Sequence, residues 1–330
     1  MSDSARLIAF GRRLARLVDR AWFEPAPADR LATLRVLIGG FAEVYLAART
    51  VHFLRAARSP AHSFDPVGPV AVLSEPLPPM LQDVVLFATL LCGLAFVFGW
   101  RFRWFGPAFA IGLLWVLSYR NSWGMIFHTE NLIVLHVAIL GFSPAGDTLS
   151  ARPRVPPGEV HGRYGWPVRL MALVTVTAYV IAGLAKLRNS GFEWITGDIL
   201  RNYVAYDNLR KAELGDWHSP VGGFLVRHGW LFPPLAAASL VIELGAPLAL
   251  VRRTWAAIWA AFAWSFHAGV LLIMAIFFPY QILGWAYLPF FRVERLTHWI
   301  HRHWVVFGSG RRSGLQETPE DPRDLRAKNA

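Results

Sequence analysis

The sequence predicts an all-α, polytopic membrane bundle of about eight transmembrane helices with a short extramembrane cap. Three observations carry that expectation. The 330 residues are 55% hydrophobic, with a mean hydropathy of +0.37. Long apolar runs recur, several close to the ~20 residues that a helix needs to cross a ~30 Å hydrocarbon layer. None of them shows the ~10-residue alternation of a transmembrane barrel.

In chain order, residues 1–30 are polar and carry six arginines. They hold no apolar h-region, so no cleavable signal peptide is expected, and Ser4 to Trp22 reads as a basic amphipathic helix on a membrane surface. The bundle is predicted over 31–291, with spans near 31–48, 83–100, 105–119, 125–142, 167–187, 231–251, 254–278 and 280–291. The last two come from a 38-residue apolar stretch, Thr254 to Phe291, broken at Pro279-Tyr280-Gln281. One helix of that length overshoots a bilayer. Residues 49–82 and 145–166 are rich in loop formers, while 188–230 mixes polar, aromatic and glycine residues and is predicted to fold over the bundle as a cap. Residues 292–330 read as an interfacial helix followed by a disordered charged tail.

The net charge of +11 follows topology. Summed on alternate sides, tails and loops hold 22 and 9 Lys and Arg, with Arg35 and Lys186 inside spans. The excess predicts both termini cytoplasmic in a multi-pass protein of a bacterial inner membrane, with Lys186 towards the periplasmic side. Arginines without interleaved aromatics give no reason to expect a nucleic-acid partner. The single cysteine, Cys92, lies in an apolar run, where a thiol behaves as a small hydrophobe. His128 and His136 are eight residues apart, no HExxH is present, and no metal is predicted. His298, His301 and His303 read as interfacial side chains. GxGxxG, Walker A and GxSxG sequences are absent.

Ionisable residues inside spans need a physical explanation. They are Arg35, Glu43, His128, Glu130, His136, Lys186, Glu243 and His267. Arg35 and Glu43 share a helical face with Gly39 and are predicted to form a structural charge network. Lys186 shares a stripe with Ala178, Tyr179, Ala182 and Gly183, small residues of the kind that membrane helices offer to a neighbour. Two readings of Lys186 stand side by side. In one it snorkels to the headgroups; in the other it turns inward, where an amine in apolar surroundings suits general-base work near neutral pH. A lipid-soluble quinol is a substrate that fits the second.

Five blocks, in order, resemble one family. They are LATLRVLIGG (31–40), SYRNSWGMIFHTENLIVLHVAILGFSP (118–144), YVIAGLAKLRNSGFEWITGDIL (179–200), LVIELGAPLAL (240–250) and FHAGVLLIMAIFFPYQILGWAYLPFF (266–291). Together they look like the vitamin K-dependent gamma-carboxylases and their short bacterial relatives with the HTTM membrane domain. The segment AGLAKL, six residues, Trp194, two residues, Gly197 is similar to the family segment that holds the catalytic lysine, and so places that role on Lys186. His267 matches a family histidine in the FHAG block, and the fourth-span block can be aligned on either His128 or Asn131. The resemblance implies Lys186 and His267 as catalytic residues, and His128, Asn131, Trp194, Glu243 and Tyr179 as substrate-binding ones. It implies reduced vitamin K or a related quinol, with O2 and CO2 as co-substrates. In the family the deprotonated quinol reacts with oxygen, and the strong base produced removes a γ-proton from glutamate. Carbon dioxide then adds, leaving γ-carboxyglutamate and the quinone epoxide. The large soluble C-terminal region of vertebrate members has no counterpart in residues 292–330, so quinol oxidation is a firmer expectation than carboxylation of a protein or peptide acceptor. The alternative is a non-enzymatic membrane protein, transporter-like or a partner-binding or immunity protein, in which Lys186, Glu43 and Glu243 form a buried ion network.

Overall fold

The computed structural model describes residue 19 and residues 22–124, 126, 128–297 and 299. Apart from Asp19 and Trp22, the helix predicted over Ser4–Trp22 lies outside the described residues, as do His298, His301, His303 and the tail beyond 299. The helices named here all belong to the compact unit that ends at Arg292.

The long elements are α1 (Ala28–Ala48), α3 (Pro79–Phe98), α4 (Phe102–Asn121), α5 (Asn131–Gly141), α6 (Gly162–Ser190), α10 (Phe232–Leu244) and α11 (Arg253–Met274). A short helix α2 (Thr50–Ala56) follows α1, and α7 (Glu193–Thr196), α8 (Ile199–Glu213) and α9 (Pro220–Leu225) lie between α6 and α10. A two-stranded pair, β1 (Ala26–Pro27) and β2 (Val160–His161), joins the chain just ahead of α1 to the chain just ahead of α6. Among the described residues, five helical segments are long and apolar enough to cross a membrane: α1, α3, α6, α11, and the run Gly229–Leu250 that contains α10. Helix α4 is equally long but carries Arg103 and Arg120 near its ends, and α5 is apolar but only 11 residues long. The predicted third span is therefore longer than its sequence signal, and the fourth is shorter. The exposed stripe Val84, Phe87, Leu91, Leu94 and Phe98 on α3 follows the helical repeat and marks a face turned to lipid.

Proline and glycine set the boundaries. Helix α3 starts at a Pro-Pro step, where a missing N–H costs nothing, and stops at Gly99, whose φ of 65° is the left-handed cap. Gly106 and Gly141 let α4 and α5 touch backbone to backbone, because a Cβ on Gly106 would come within 2.7 Å of the Gly141 carbonyl.

The predicted helical span over 280–291 needs correction. Helix α11 ends at Ala275 in the left-handed conformation, with a φ of 50°. The chain then returns as four irregular residues, the four-residue helix α12 (Pro279–Ile282), a turn at Gly284 with a φ of 82°, and a 3-10 turn over Trp285–Phe290. It finishes level with where α11 began, since Pro289 to Arg292 line the same hollow as Arg252 and Arg253. The chain does run back to that hollow, but Pro279, Gly284 and Pro289 keep it from being a continuous helix. Irregular backbone is tolerated at membrane depth only when protein surrounds it, and Tyr280, Gln281, Ala286, Tyr287 and Pro289 are all buried.

Helix α6 is the central post, packed against α1, α5, α10 and the returning segment. At the end of the bundle where α1 starts, the 142–161 loop is held by charges from α1. Arg35 donates to the carbonyls of Ala145 (2.9 Å) and Leu149, and Asp29 accepts from Thr148 and from the Gly158 amide. At the opposite end, the 193–231 cap is stitched to the last turn of α11. Asn208 donates to the Ile273 carbonyl at 3.0 Å, Lys211 to that of Met274 at 2.6 Å, and Ser219 to that of Leu272. These are the carbonyls that a helix C-terminus leaves without intrahelical partners.

Candidate functional site

The nominated residues fall into three separate places. The first is a cleft of 560 Å³ walled by α6, α7, α8, α10 and α11. Lys186 and Trp194 lie on its wall with the aromatic rings of Tyr203, Phe232, Phe262 and Phe266, and Tyr203 and Phe262 are exposed on its rim. Gly183, one turn before Lys186, brings α6 so close to α10 that a Cβ there would touch Leu244 at 2.9 Å and Glu243 at 3.1 Å. That approach lets the Lys186 ammonium pair with Glu243 Oε1. The lysine side chain keeps 20% of its surface, on the cleft side, while Glu243 keeps only 3%. The second carboxylate oxygen of Glu243 is buried and has no protein partner. Nζ lies 5.2 Å from the centre of the Trp194 ring and 6.0 Å from that of Phe266, within cation–π range. The Trp194 indole is fixed by donating to Ser239 Oγ at 3.2 Å. Lys186 thus turns inward, with one face on its carboxylate and another on open, aromatic-lined space.

His267 does not line this cleft. It points from α11 into the middle of the bundle, where its Nε2 lies 2.8 Å from the Tyr179 hydroxyl, which is itself 2.7 Å from the Tyr287 hydroxyl. A second chain runs beside the first. His136 on α5 has Nδ1 at 2.7 Å from Tyr280 and Nε2 at 3.1 Å from Thr175, and Thr175 also contacts the Ala286 carbonyl at 3.4 Å. Both chains of hydrogen bonds end on the irregular returning segment. They tie its Tyr280 and Tyr287 hydroxyls and its Ala286 carbonyl to neighbouring helices, and Tyr179 lies among them and not on the cleft lining. Tyr280, Tyr287 and Thr175 were not foreseen, and His136 was noted only as an ionisable residue. Their one signal in the sequence is hydroxyl-bearing aromatics beside Pro279 and Pro289 in an otherwise apolar run.

The third place is the far end of α1. His128 lies in the 3-10 turn His128–Glu130, and Asn131 opens α5 on the surface and does not line the cleft. Glu130 is buried, accepts from Tyr45 and pairs with Arg49 at 3.1 Å. His52 on α2 accepts from Arg120 at 3.2 Å, and burial together with Arg120, Arg49 and Arg55 holds its pKa below the ordinary imidazole value, which keeps it neutral.

The Arg35–Glu43 network is also corrected. Eight residues of helix separate the pair by about 12 Å. Arg35 is spent on loop carbonyls, whereas Glu43 packs at Gly93 of α3 with its Oε2 buried and without a partner. Among the described residues no group of His, Cys, Asp and Glu is arranged to hold a metal.

A helical, multi-pass membrane protein with one irregular returning segment and a lysine-bearing lateral cleft is the class that fold and site define. The chain belongs to the HTTM-domain family: the family model described as HTTM domain matches residues 23–294. That domain is found in vitamin K-dependent carboxylase-like membrane proteins. No curated protein and no solved structure matches the chain.

Proposed function

We propose that the chain is a membrane enzyme that takes a quinol or similar phenolic lipid into the Lys186 cleft and removes its hydroxyl proton. The observation that supports this reading is the juxtaposition of Lys186 with open aromatic space. The volume of 560 Å³ falls in the range of small-molecule sites, and five aromatic side chains suit a flat ring. Glu243 completes the chemistry. Passing the ammonium proton from Nζ to Oε1 leaves a neutral amine facing the cleft and a neutral acid behind it, and the amine then accepts the phenolic proton. Trp194 and Phe266 position the ammonium through their ring faces. His267, Tyr179 and Asn131 do not line the cleft and take no direct part in this step. Oxidation of the resulting phenolate by O2, and addition of CO2 to a carbon acid such as glutamate, are the later steps that membership of this family favours. The charge distribution supports cytoplasmic termini in a bacterial inner membrane and a cleft towards the periplasmic side.

The non-enzymatic reading has one observation in its favour, the Lys186–Glu243 pair, which ties α6 to α10. The test is oxygen-dependent epoxidation of reduced vitamin K by the purified protein in lipid nanodiscs. Turnover is expected for the parent protein, with a loss on the order of 10³-fold in Lys186→Ala, as for removal of a general base. No turnover with several quinols, together with tolerance of the double change Lys186→Met, Glu243→Leu, would replace the enzyme reading with the structural one.

A further inference from the structure

At the end of the bundle where α1 and α11 start, a hollow of 350 Å³ is lined by Arg30, Arg169, Arg252, Arg253 and Arg292, with Glu24 the one acidic residue among its lining. Four of these arginines, Arg169, Arg252, Arg253 and Arg292, make no ion pair with the described residues. The same end of the bundle offers a comparison. A second arginine-rich hollow there contains Asp147, which takes Arg163 at 3.4 Å and Arg154 at 3.8 Å. One hollow neutralises part of its charge internally; the other is lined by several arginines with no such internal partner among the described residues.

Two further features fit an anion in that space. Helix α11 begins at this hollow with Arg252 in the N-cap position and no side chain capping its first amides, so the positive end of its dipole adds to the arginines. The rest of the lining includes apolar side chains, with Val168 and Ala172 buried on α6 and Phe291 exposed at the edge. A basic cup at the end of spanning helices with an apolar flank matches a phosphate that carries acyl chains. A topology signal alone requires arginines at this end, not their grouping around one hollow.

We propose that this hollow binds the phosphate headgroup of an anionic phospholipid, with the arginines on the phosphate and the acyl chains leaving past Leu250 and the exposed Phe291. Basic pockets between membrane helices recognise such headgroups, and each basic residue near a membrane surface contributes enough to change affinity several-fold.

The experiment places the full chain in nanodiscs of equal parts phosphatidylglycerol and phosphatidylcholine and counts, by native mass spectrometry, the lipids retained on release. The parent protein is expected to retain phosphatidylglycerol in clear excess. Arg252→Gln with Arg253→Gln should reduce that excess on the order of tenfold. The charge-matched pair Arg101→Gln with Arg103→Gln, at the second hollow, should keep it. Equal retention of both lipids by the parent protein, or equal loss in the two double variants, overturns the proposal. In a parallel arm, soluble glycerol phosphate is titrated into the detergent-solubilised protein; if it raises the unfolding temperature as much as phosphatidylglycerol does, the site is one for free phosphate and the lipid assignment fails. Unfolding temperatures in phosphatidylcholine alone establish that each variant is folded, and Arg169→Gln replaces the Arg252/Arg253 pair if that pair is not.

Discussion

Two regions of the bundle use the same chemical vocabulary to opposite ends. In the Lys186 cleft, an ionisable side chain and several aromatic rings surround space. In the core between α5, α6 and α11, two histidines and three tyrosines fill it, and most of their polar atoms are matched to one another. The difference lies in which partner each set faces. The core set fastens an irregular stretch of chain to its neighbours through the Tyr280 and Tyr287 hydroxyls and the Ala286 carbonyl, polar groups that need partners in a low-dielectric setting. The cleft set faces only other helices, which are satisfied internally and leave Lys186 one carboxylate and an open side. A buried polar cluster is therefore weak evidence of catalysis until it is known whether it encloses a void.

The sharpest way to break this comparison is to remove a side chain from the filled region. His136→Ala deletes an imidazole and removes the partner of the Tyr280 hydroxyl, while Thr175 keeps its bond to the Met171 carbonyl. It should destabilise the bundle by about 3 kcal/mol, combining a cavity with lost hydrogen bonds, and thermal unfolding in detergent reads this directly. A smaller effect is expected at the cap. Asn208→Ala removes the donor to Ile273 and the acceptor for the Ser219 amide; at about 1 kcal/mol per lost bond, it should accelerate amide exchange across 199–213 more than across α6. The smallest stability change is expected on filling the cleft. Gly269 lies on its wall, and a Cβ added there meets nothing within 4 Å. Gly269→Leu should leave the unfolding temperature unchanged or slightly higher, because glycine is a poor helix former, while quinol retention falls roughly tenfold, about 1.4 kcal/mol. If Gly269→Leu destabilises as much as His136→Ala, the cleft is packed core and the contrast between the two regions disappears.

Much of the fold was legible because hydropathy and charge report the solvent that each residue meets. The apolar runs placed α1, α3, α6 and α11 within a few residues of their observed bounds. Ala182 and Gly183 on the Lys186 stripe left an inward lysine open beside a snorkelling one, and the partner that decides between them, Glu243, is 57 residues away in the chain. What escaped depends on partners distant in the chain. Arg35 reads like a mate for Glu43 until the 142–161 loop brings the carbonyls of Ala145 and Leu149 to it. The family resemblance grouped His267 and Tyr179 with the lysine site, but they bond each other in the middle of the bundle, with Tyr287 as the further partner. Nothing local marks Asn208 or Lys211 as the residues that fasten the cap, since the carbonyls they bond belong to residues 273 and 274.

The irregular returning segment also bears on the order in which this protein is made. A membrane helix enters lipid with its backbone hydrogen bonds already closed, but residues 275–291 cannot. Many of their amides close on nearby carbonyls, as Ile282 does on Phe278 and Tyr287 on Gly284, but the Ile282 and Ala286 carbonyls and the Tyr280 and Tyr287 hydroxyls find partners only on Trp264, Thr175, His136 and Tyr179 of other helices. That segment therefore settles best into a bundle, not a bilayer. Its position late in the chain means that the ribosome delivers it when those partners have already been synthesised. Moving it earlier in the chain by circular permutation would ask the insertion machinery to hold an unsolvated backbone in lipid until the rest arrived.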